Sequence, residues 1–162
     1  MPHIDKQKIL SLIISKLEED IDIAAQAVAV ARDTATHKDC LGSSKYETMG
    51  LEASYLAQGQ GTRLIELERA LSYFKQVQLT PHQNSVVLST LVTLDDEAGK
   101  RQYLWLAVDA GGLKIPYSEA ITITVITAKS PLGRALIGRH KGDTFELKLG
   151  KSLQCYEVSS IT

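Results

Sequence analysis

The sequence has little cysteine and no long apolar run, and each absence excludes a class of protein. Its two cysteines, Cys40 and Cys155, stand far apart without paired spacing, which argues against a disulfide scaffold and favours a reducing compartment. The first ten residues, MPHIDKQKIL, contain no apolar signal core, and no segment is apolar enough to span a membrane. We therefore expect a cytoplasmic protein with no membrane partner.

Excess positive charge is also absent. The 162 residues carry a formal net charge of -1, and a chain of this length forms one or two small domains. Proteins that bind nucleic acid by neutralising phosphates usually have a basic excess. Any contact of this chain with nucleic acid is therefore expected to be local, or indirect through a protein partner.

The first half of the chain has a helical period. From about Ile4 to Thr36 there is no proline or glycine, and apolar residues recur every three or four positions. The same spacing returns from Glu47 to Phe74. Two helices of nearly equal length with a short connection predict an antiparallel helical hairpin over residues 1–78, with its tip at 37–46.

Two glycines stand inside the second helical run. Each of Gly59 and Gly61 costs about 1 kcal/mol relative to alanine in a helix interior, so they are candidates for a kink. Their GQG sequence lacks the third glycine of a dinucleotide fingerprint and follows no strand, which argues against a phosphate site. Their role is left open, as is that of Cys40, which with His37 supplies too few ligands for a closed zinc site.

After Leu79 the apolar pattern changes to period two. Five runs predict strands, and the turn residues between them predict hairpins: SVVLSTLVTL, RQYLWLAV, AITITVITAKS, TFELKL and LQCYEVSSI. Ser130 is placed to cap a short helix whose first position is Pro131. The predicted fold class is therefore α+β, with the hairpin followed by a small antiparallel sheet domain at 79–162 that carries one short helix.

Three further features of the second half have structural interpretations. The acids Asp95, Asp96 and Glu97 are interpreted as a solvated turn rather than a metal site. Cys155 alternates with Leu153 and is predicted to be a core thiol. Trp105 is interpreted either as a core residue or as an aromatic that faces a partner.

One stretch, SPLGRALIGRHKGDTFEL, resembles the C-terminal signature of the bacterial transcription elongation factors GreA and GreB. The order of the parts also matches, since a long helical hairpin precedes a small sheet domain over essentially the whole chain. The residues that carry the resemblance are Ser130, Pro131, Ala135, Leu136, Gly138, Gly142 and Asp143. The resemblance implies an FKBP-like C-terminal domain and RNA polymerase as the partner, with the hairpin entering the secondary channel of the polymerase.

The resemblance also implies that the C-terminal segment docks the protein on the polymerase. The candidate docking residues are Ser130, Pro131, Arg134, Gly138, Gly142 and Asp143. Arg134, Arg139, His140 and Lys141 form the most basic local stretch of the chain. This stretch is either a solvated face or a surface that meets acidic protein or nucleic acid.

The hairpin tip departs from the family pattern. The family tip reads Gly-Asp-Leu-Ser-Glu-Asn followed shortly by Glu-Tyr, and its acids are thought to help hold a catalytic magnesium in the polymerase. Asp39 stands at the family's separation from Tyr46, but the two glutamates of the family fall on Gly42 and Lys45. Glu47 is a nearby substitute acid.

Magnesium binds through oxygen ligands, so a tip that shares the metal contributes carboxylate charge. Asp39 remains a possible ligand of the shared Mg²⁺, while Lys45 opposes it. We therefore expect polymerase binding to be retained, with the tip residues Asp39, Tyr46 and Glu47 reaching the polymerase active site and with weak or absent stimulation of transcript cleavage. We expect the chain itself to be a monomer that is not an enzyme and has no cofactor or metal of its own.

Two alternatives remain open from the sequence. The first is a self-associating coiled-coil module that does not bind polymerase. The second is a peptidyl-prolyl isomerase of the FKBP type, which would need an aromatic-lined apolar pocket. Fold analogy alone does not carry that activity.

Overall fold

The computed structural model describes residues 3–36, 44–79 and 84–162, and within 34–57 it describes only the helical backbone. The predicted α+β class is confirmed. The elements are helices α1 (Lys6–Thr36) and α2 (Ser44–Gln76), strands β1 (Leu91–Asp96), β2 (Arg101–Ala107), β3 (Lys114–Pro116) and β4 (Thr122–Thr127), helix α3 (Pro131–Leu136), and strands β5 (Thr144–Leu149) and β6 (Ser152–Ile161).

The chain divides into two compact units. One unit is helical and spans Ile14–Ser72, and the other combines Met1–Ile13 with Tyr73–Thr162. Both long helices therefore pass from one unit into the other. The domain division at 78 and 79 remains a prediction, and most of the predicted tip at 37–46 lies outside the described residues.

The helical unit contains most of α1, whose apolar spacing produces one buried stripe. Within this unit, the described buried residues of α1 are Leu17, Ala24, Val28 and Ala31. The side chains become smaller along the helix, from leucine to alanine and valine. On the polar side, Lys16 and Asp20 form an ion pair of 3.2 Å one turn apart.

The unit that contains the sheet begins with the first turns of α1. The Oδ1 of Asp5 accepts hydrogen bonds from the amides of Gln7 at 2.9 Å and Lys8 at 3.4 Å, and so caps the helix. The amide of Asp5 donates to the hydroxyl of Tyr117 at 3.1 Å. The start of α1 is thereby held against the segment that follows β3.

The six strands form one sheet in the order β3-β4-β2-β1-β6-β5. All neighbours are antiparallel except β2 and β4, which pair in parallel with Trp105 opposite Val125. This parallel pair departs from the predicted antiparallel sheet. Its reason is β3, a three-residue strand whose addition at the edge turns the chain so that β4 enters in the direction of β2.

Different parts of the chain pack against the two faces of the sheet. The face towards α3 holds a core of large apolar residues: Val86, Val92, Leu94, Leu104, Leu106, Leu136, Phe145, Tyr156 and Val158. Because side chains alternate along a strand, Trp105 lies on the other face, where the side chain of Lys6 reaches its ring. Among the described residues, no helix is long and apolar enough to cross a membrane.

Candidate functional site

The candidate docking segment begins with a capped helix. The hydroxyl of Ser130 accepts a hydrogen bond from the amide of Gly133 at 3.0 Å and donates one to the carbonyl of Thr127 at 2.7 Å. Pro131 occupies the start of the helix. The predicted cap is confirmed, and the side chain of Ser130 is committed to holding α3 against the end of β4.

Gly133 makes a close approach that the sequence analysis did not single out. A Cβ at this position would lie 2.0 Å from the carbonyl oxygen of Thr127, so only glycine fits here. The available signal was a glycine in the middle of a short helical run, where it costs about 1 kcal/mol relative to alanine. That cost indicates a packing requirement.

The two predicted glycines of the segment shape its turns. Gly138 and Gly142 have φ angles of 83° and 89°, in the left-handed region that favours glycine. The amide of Gly138 donates to the carbonyl of Val86 at 2.9 Å, and the amide of Gly142 donates to the carbonyl of Val158 at 2.8 Å. Both glycines therefore join the segment to the sheet domain.

Asp143 also has an internal role. Its Oδ2 accepts a hydrogen bond from the amide of His140 at 2.7 Å, and it lies 3.8 Å from the Nδ1 of the same histidine. Arg139 donates from Nε to the carbonyl of Ala135 at 2.8 Å and stacks its guanidinium 4.9 Å from the centroid of the Phe145 ring. These two charged side chains therefore hold the turn together.

Arg134 differs from the other candidate docking residues because it is exposed on α3. Lys129 and Lys141 are exposed nearby in the chain. The side chains that present charge from this segment are thus basic. Of the six candidate residues, Arg134 is the one with an exposed charged side chain for which no internal contact of the fold is seen among the described residues.

An apolar patch accompanies this basic segment. It consists of four side chains that are between 37% and 47% exposed: Val87, Leu88, Val108 and Ile137. Backbone hydrogen bonds join the segments that carry these residues. The amide of Val86 donates to the carbonyl of Arg139 at 2.8 Å, and the amide of Ser89 donates to the carbonyl of Leu106 at 2.7 Å. The apolar patch is not visible in the sequence.

The reason is that the patch is assembled from separate segments. Val87 and Leu88 precede β1, Val108 follows β2, and Ile137 directly follows α3. No local period links these positions. Scattered exposed apolar residues are ordinary, whereas several on adjoining segments of one surface are typical of a surface that binds protein.

The predicted tip residues stand apart from this surface in the sequence. Asp39 lies outside the described residues, as does Cys40. Tyr46 and Glu47 lie in the first turns of α2, where only the backbone is described. Their role at the polymerase remains a prediction.

The acids at the β1–β2 turn are held by the fold. The Nε and Nη2 of Arg101 donate to the two carboxylate oxygens of Asp95 at 2.8 and 3.0 Å, and the hydroxyl of Ser159 also donates to Asp95. These hydrogen bonds, first of all the one from Arg101, lower the pKa of Asp95. The amides of Lys100 and Gly99 bond to Asp96, which confirms the predicted turn.

The burial of Trp105 and Cys155 tests the predictions made for these two residues. Trp105 is fully buried, so it is a core residue. Cys155 is a half-buried free thiol on the opposite face of β6 from Tyr156 and Val158, so the prediction of a core thiol was wrong. Hydrogen bonding to Glu97, then burial and the charges of Glu97 and Glu146, raise the pKa of Cys155 to about 11.

Comparisons with known proteins find one family to which part of this sequence is similar. Residues 113–162, which contain β3 to β6 and the whole docking segment, match the family described as "Transcription elongation factor, GreA/GreB, C-term". The chain is 29% identical over 136 residues to a "Transcription elongation factor GreA" of Ruegeria pomeroyi, covering 84% of this chain and 79% of that protein. It is 27% identical over 117 residues to the GreA of Thermotoga neapolitana, covering 72% of this chain and 71% of that protein.

Among solved structures, the chain is similar to one described as the transcription factor Gfh1. The identity is 23%, the coverage is 95% of this chain and 91% of that chain, and the TM-score is 0.41. A second, of Thermus aquaticus Gfh1, gives 24% identity, coverage of 92% and 90%, and a TM-score of 0.38. At these scores the structural likeness adds nothing to the conclusions drawn from the sequence relatives.

Proposed function

We propose that this chain, a GreA/GreB-like transcription elongation factor, binds RNA polymerase through its sheet domain and reaches the secondary channel of the polymerase with its helical hairpin. The GreA relatives and the match over residues 113–162 confirm the predicted family resemblance. The observation that carries the docking proposal is the position of that match. It covers the segment that presents Arg134 and Ile137.

The docking surface has a defined chemistry. Exposed Arg134 supplies a planar cation suited to carboxylates, and Ile137 with Val87 supplies apolar contact. The remaining docking residues, Ser130, Pro131, Gly138, Gly142 and Asp143, shape the segment rather than touch the partner. The complementary polymerase surface would accordingly be apolar with acidic residues beside it.

The hairpin tip would regulate rather than complete the polymerase active site. Asp39 supplies one carboxylate towards a shared Mg²⁺, while Gly42 and Lys45 stand where the family has acids. The chain is accordingly not an enzyme and has no cofactor of its own. Weak or absent cleavage stimulation follows, with occupation of the channel as the regulatory act, and any contact with nucleic acid is indirect within the transcription complex.

Docking is tested by a pull-down of core RNA polymerase with purified protein. The variants Arg134→Glu and Ile137→Asp change exposed side chains, so the fold should be retained, as circular dichroism and the melting temperature will verify. We expect each variant to lose binding at least tenfold. Lys100→Glu, an exposed charge reversal at the β1–β2 turn, is the matched control and should bind normally.

Equal binding by the docking variants and the control would refute this surface. No binding by the unchanged protein would refute the polymerase proposal as a whole. Asp39→Ala should leave binding nearly intact, because the tip is proposed to act after docking.

Cleavage is tested separately on backtracked elongation complexes. The unchanged protein should stimulate cleavage weakly or not at all, and the double variant Gly42→Glu/Lys45→Glu, which restores the acids, should stimulate it more strongly. Strong stimulation by the unchanged protein, comparable with a factor that has the full acidic tip, would refute the proposal of a regulator without cleavage activity.

A further inference from the structure

Strand β5 forms one edge of the sheet. It pairs with β6 on one side, from Thr144 opposite Glu157 to Leu149 opposite Ser152. On its other side, no strand pairs with it in the part of the chain that the structure describes. A six-residue strand with a free edge presents unpaired amides and carbonyls that can bind another strand.

The alternation of backbone bonds identifies the groups on the free edge. The amide of Val158 donates to the carbonyl of Asp143 at 2.9 Å, so Asp143 faces β6, and every second residue after it does the same. Thr144, Glu146 and Lys148 therefore direct their amides and carbonyls outward. The carbonyl of Thr144 already accepts a hydrogen bond from the Nη1 of Arg139 at 3.4 Å.

The sequence of β5, TFELKL, is complementary to itself. If two copies align antiparallel about Leu147, Glu146 of one copy lies opposite Lys148 of the other, and the reverse pair forms as well. Phe145 lies opposite Leu149, and Leu147 lies opposite Leu147. Opposite charges in such cross-strand positions stabilise a pair, whereas like charges destabilise it.

This alignment also satisfies the backbone. Glu146 and Lys148 both face outward, so each of the two pairs can exchange two hydrogen bonds between copies. Leu147 faces β6, so the central pair is of the non-bonded type, in which side chains come closest. A register shifted by one residue would place outward groups opposite inward groups and would lose these bonds.

We propose that β5 is a self-association surface at which two copies of this chain join their sheets edge to edge about Leu147. Lysine and glutamate on an edge strand ordinarily discourage pairing. Here an identical strand matches both charges in the bonded register. The proposal goes beyond the polymerase function and does not depend on it.

The apolar side of the strand supports the same partner. Leu149 is 43% exposed and Leu147 is half-buried against the core, and both lie on the face of β5 that carries Phe145. Pairing would cover them with their own counterparts. The surface is small beside the ~800 Å² per partner of stable complexes, so the dimer should be weak and dependent on concentration.

This proposal differs from the monomer that the sequence analysis predicts. The self-complementarity of TFELKL matters only when β5 is known to be an edge strand, and the order of strands is not visible in the sequence. The predicted monomer would be the state at low concentration.

Charge exchange gives a direct test by sedimentation equilibrium over a range of protein concentrations. Glu146→Lys and Lys148→Glu each place like charges opposite each other twice, and each should raise the dimer dissociation constant by about tenfold or more. The double variant Glu146→Lys/Lys148→Glu restores opposite charges in the same register. It should return the dissociation constant to near that of the unchanged protein.

Lys114→Glu is the matched control, because Lys114 is an exposed lysine on β3, the edge strand at the other side of the sheet. It should leave association unchanged. A protein that stays monomeric up to its solubility limit would overturn the proposal. A dimer that the single charge reversals do not weaken, or that the double variant does not restore, would overturn it as well.

Discussion

The Nζ of Lys6 lies 5.7 Å from the centroid of the Trp105 ring, and among the described residues neither that Nζ nor the buried Nε1 of Trp105 has a hydrogen-bond partner. Burial lowers the pKa of Lys6. The contact joins the first turn of α1 to the middle of the sheet. Two opposite contributions to the stability of the fold meet in this contact. The attraction between the ammonium and the indole ring is favourable, whereas the removal of water from the ammonium is unfavourable.

Replacing Lys6 by methionine separates these two terms. A cation over an aromatic ring contributes about 0.5–1 kcal/mol, more when buried, whereas an unsatisfied buried donor costs about 1–3 kcal/mol. We expect Lys6→Met to raise the free energy of unfolding by about 1 kcal/mol at neutral pH, measured by urea denaturation. Lys8→Met is the control, because Lys8 is exposed with its Nζ 4.7 Å from the Tyr117 centroid, and it should lower stability slightly.

The advantage of Lys6→Met should depend on pH. The folded pKa of Lys6 is lowered, so the unfolded chain binds more protons between the folded and unfolded values, and stability rises with pH across that interval. The difference between Lys6→Met and the unchanged protein should therefore shrink as the pH approaches the ordinary lysine value of about 10.4. A difference that stays constant to that pH would contradict the assignment.

Gly133→Ala should destabilise the sheet domain strongly. The added Cβ would meet the carbonyl oxygen of Thr127 at 2.0 Å, and backbone on both sides must move to relieve the overlap. Overpacking of this kind costs about 1–3 kcal/mol or more. Thermal denaturation should show a melting temperature several degrees lower, and an unchanged value would mean that α3 can shift freely.

Gly59→Ala/Gly61→Ala should have the opposite effect. These glycines lie inside α2, and a Cβ at either position meets no described atom within 4 Å. Each substitution should stabilise the helix by about 1 kcal/mol, since alanine has the higher helix propensity. Circular dichroism during urea denaturation would report the gain. A loss of stability would reveal that the glycines serve a close contact.

Cys155 should react slowly with alkylating reagents. Because Glu97 and Glu146 raise its pKa to about 11, little thiolate exists near pH 8. In a Cys40→Ser background, iodoacetamide labelling followed by mass spectrometry should be slower than that of a free cysteine and should accelerate towards pH 11. Glu97→Gln should speed the labelling at pH 8, and an equal rate in both proteins would exclude control by that carboxylate.

The sequence predicted the elements with a clear period. The long apolar spacing of α1, the Ser130 cap and the alternation in TFELKL each reflect a local rule, and the structure confirms them. Strand β3 was missed because three residues, ending in Pro116, are too few to show an alternation. The parallel pairing of β2 with β4 depends on that strand.

The buried face of strand β6 could not be predicted from the sequence either. The run LQCYEV alternates, but either phase of the alternation has apolar members, Leu153 and Cys155 on one face and Tyr156 and Val158 on the other. The structure buries the second pair, because that face lies against the core with Phe145, and leaves Leu153 58% exposed. The two-residue alternation alone does not determine which face of β6 is buried.

The sequence predicted only the part of the candidate site that lies in one continuous segment. The SPLGRALIGR segment was identified from its residues, whereas the apolar patch required knowledge of which loops meet. The close approach of Gly133 to Thr127 could not be predicted, because the sequence shows only a glycine inside a short helix. The tip around Asp39 remains a prediction from resemblance.

The discontinuous unit has a consequence for the order of folding during synthesis. Its core needs Ile9 and Ile13 from the beginning of the chain and β6 from the end, and β6 lies between β1 and β5 in the sheet. The helical unit, in contrast, is one continuous stretch, Ile14–Ser72. On the ribosome the helices can therefore form early, while the sheet closes last, when β6 inserts between two strands that have already been made.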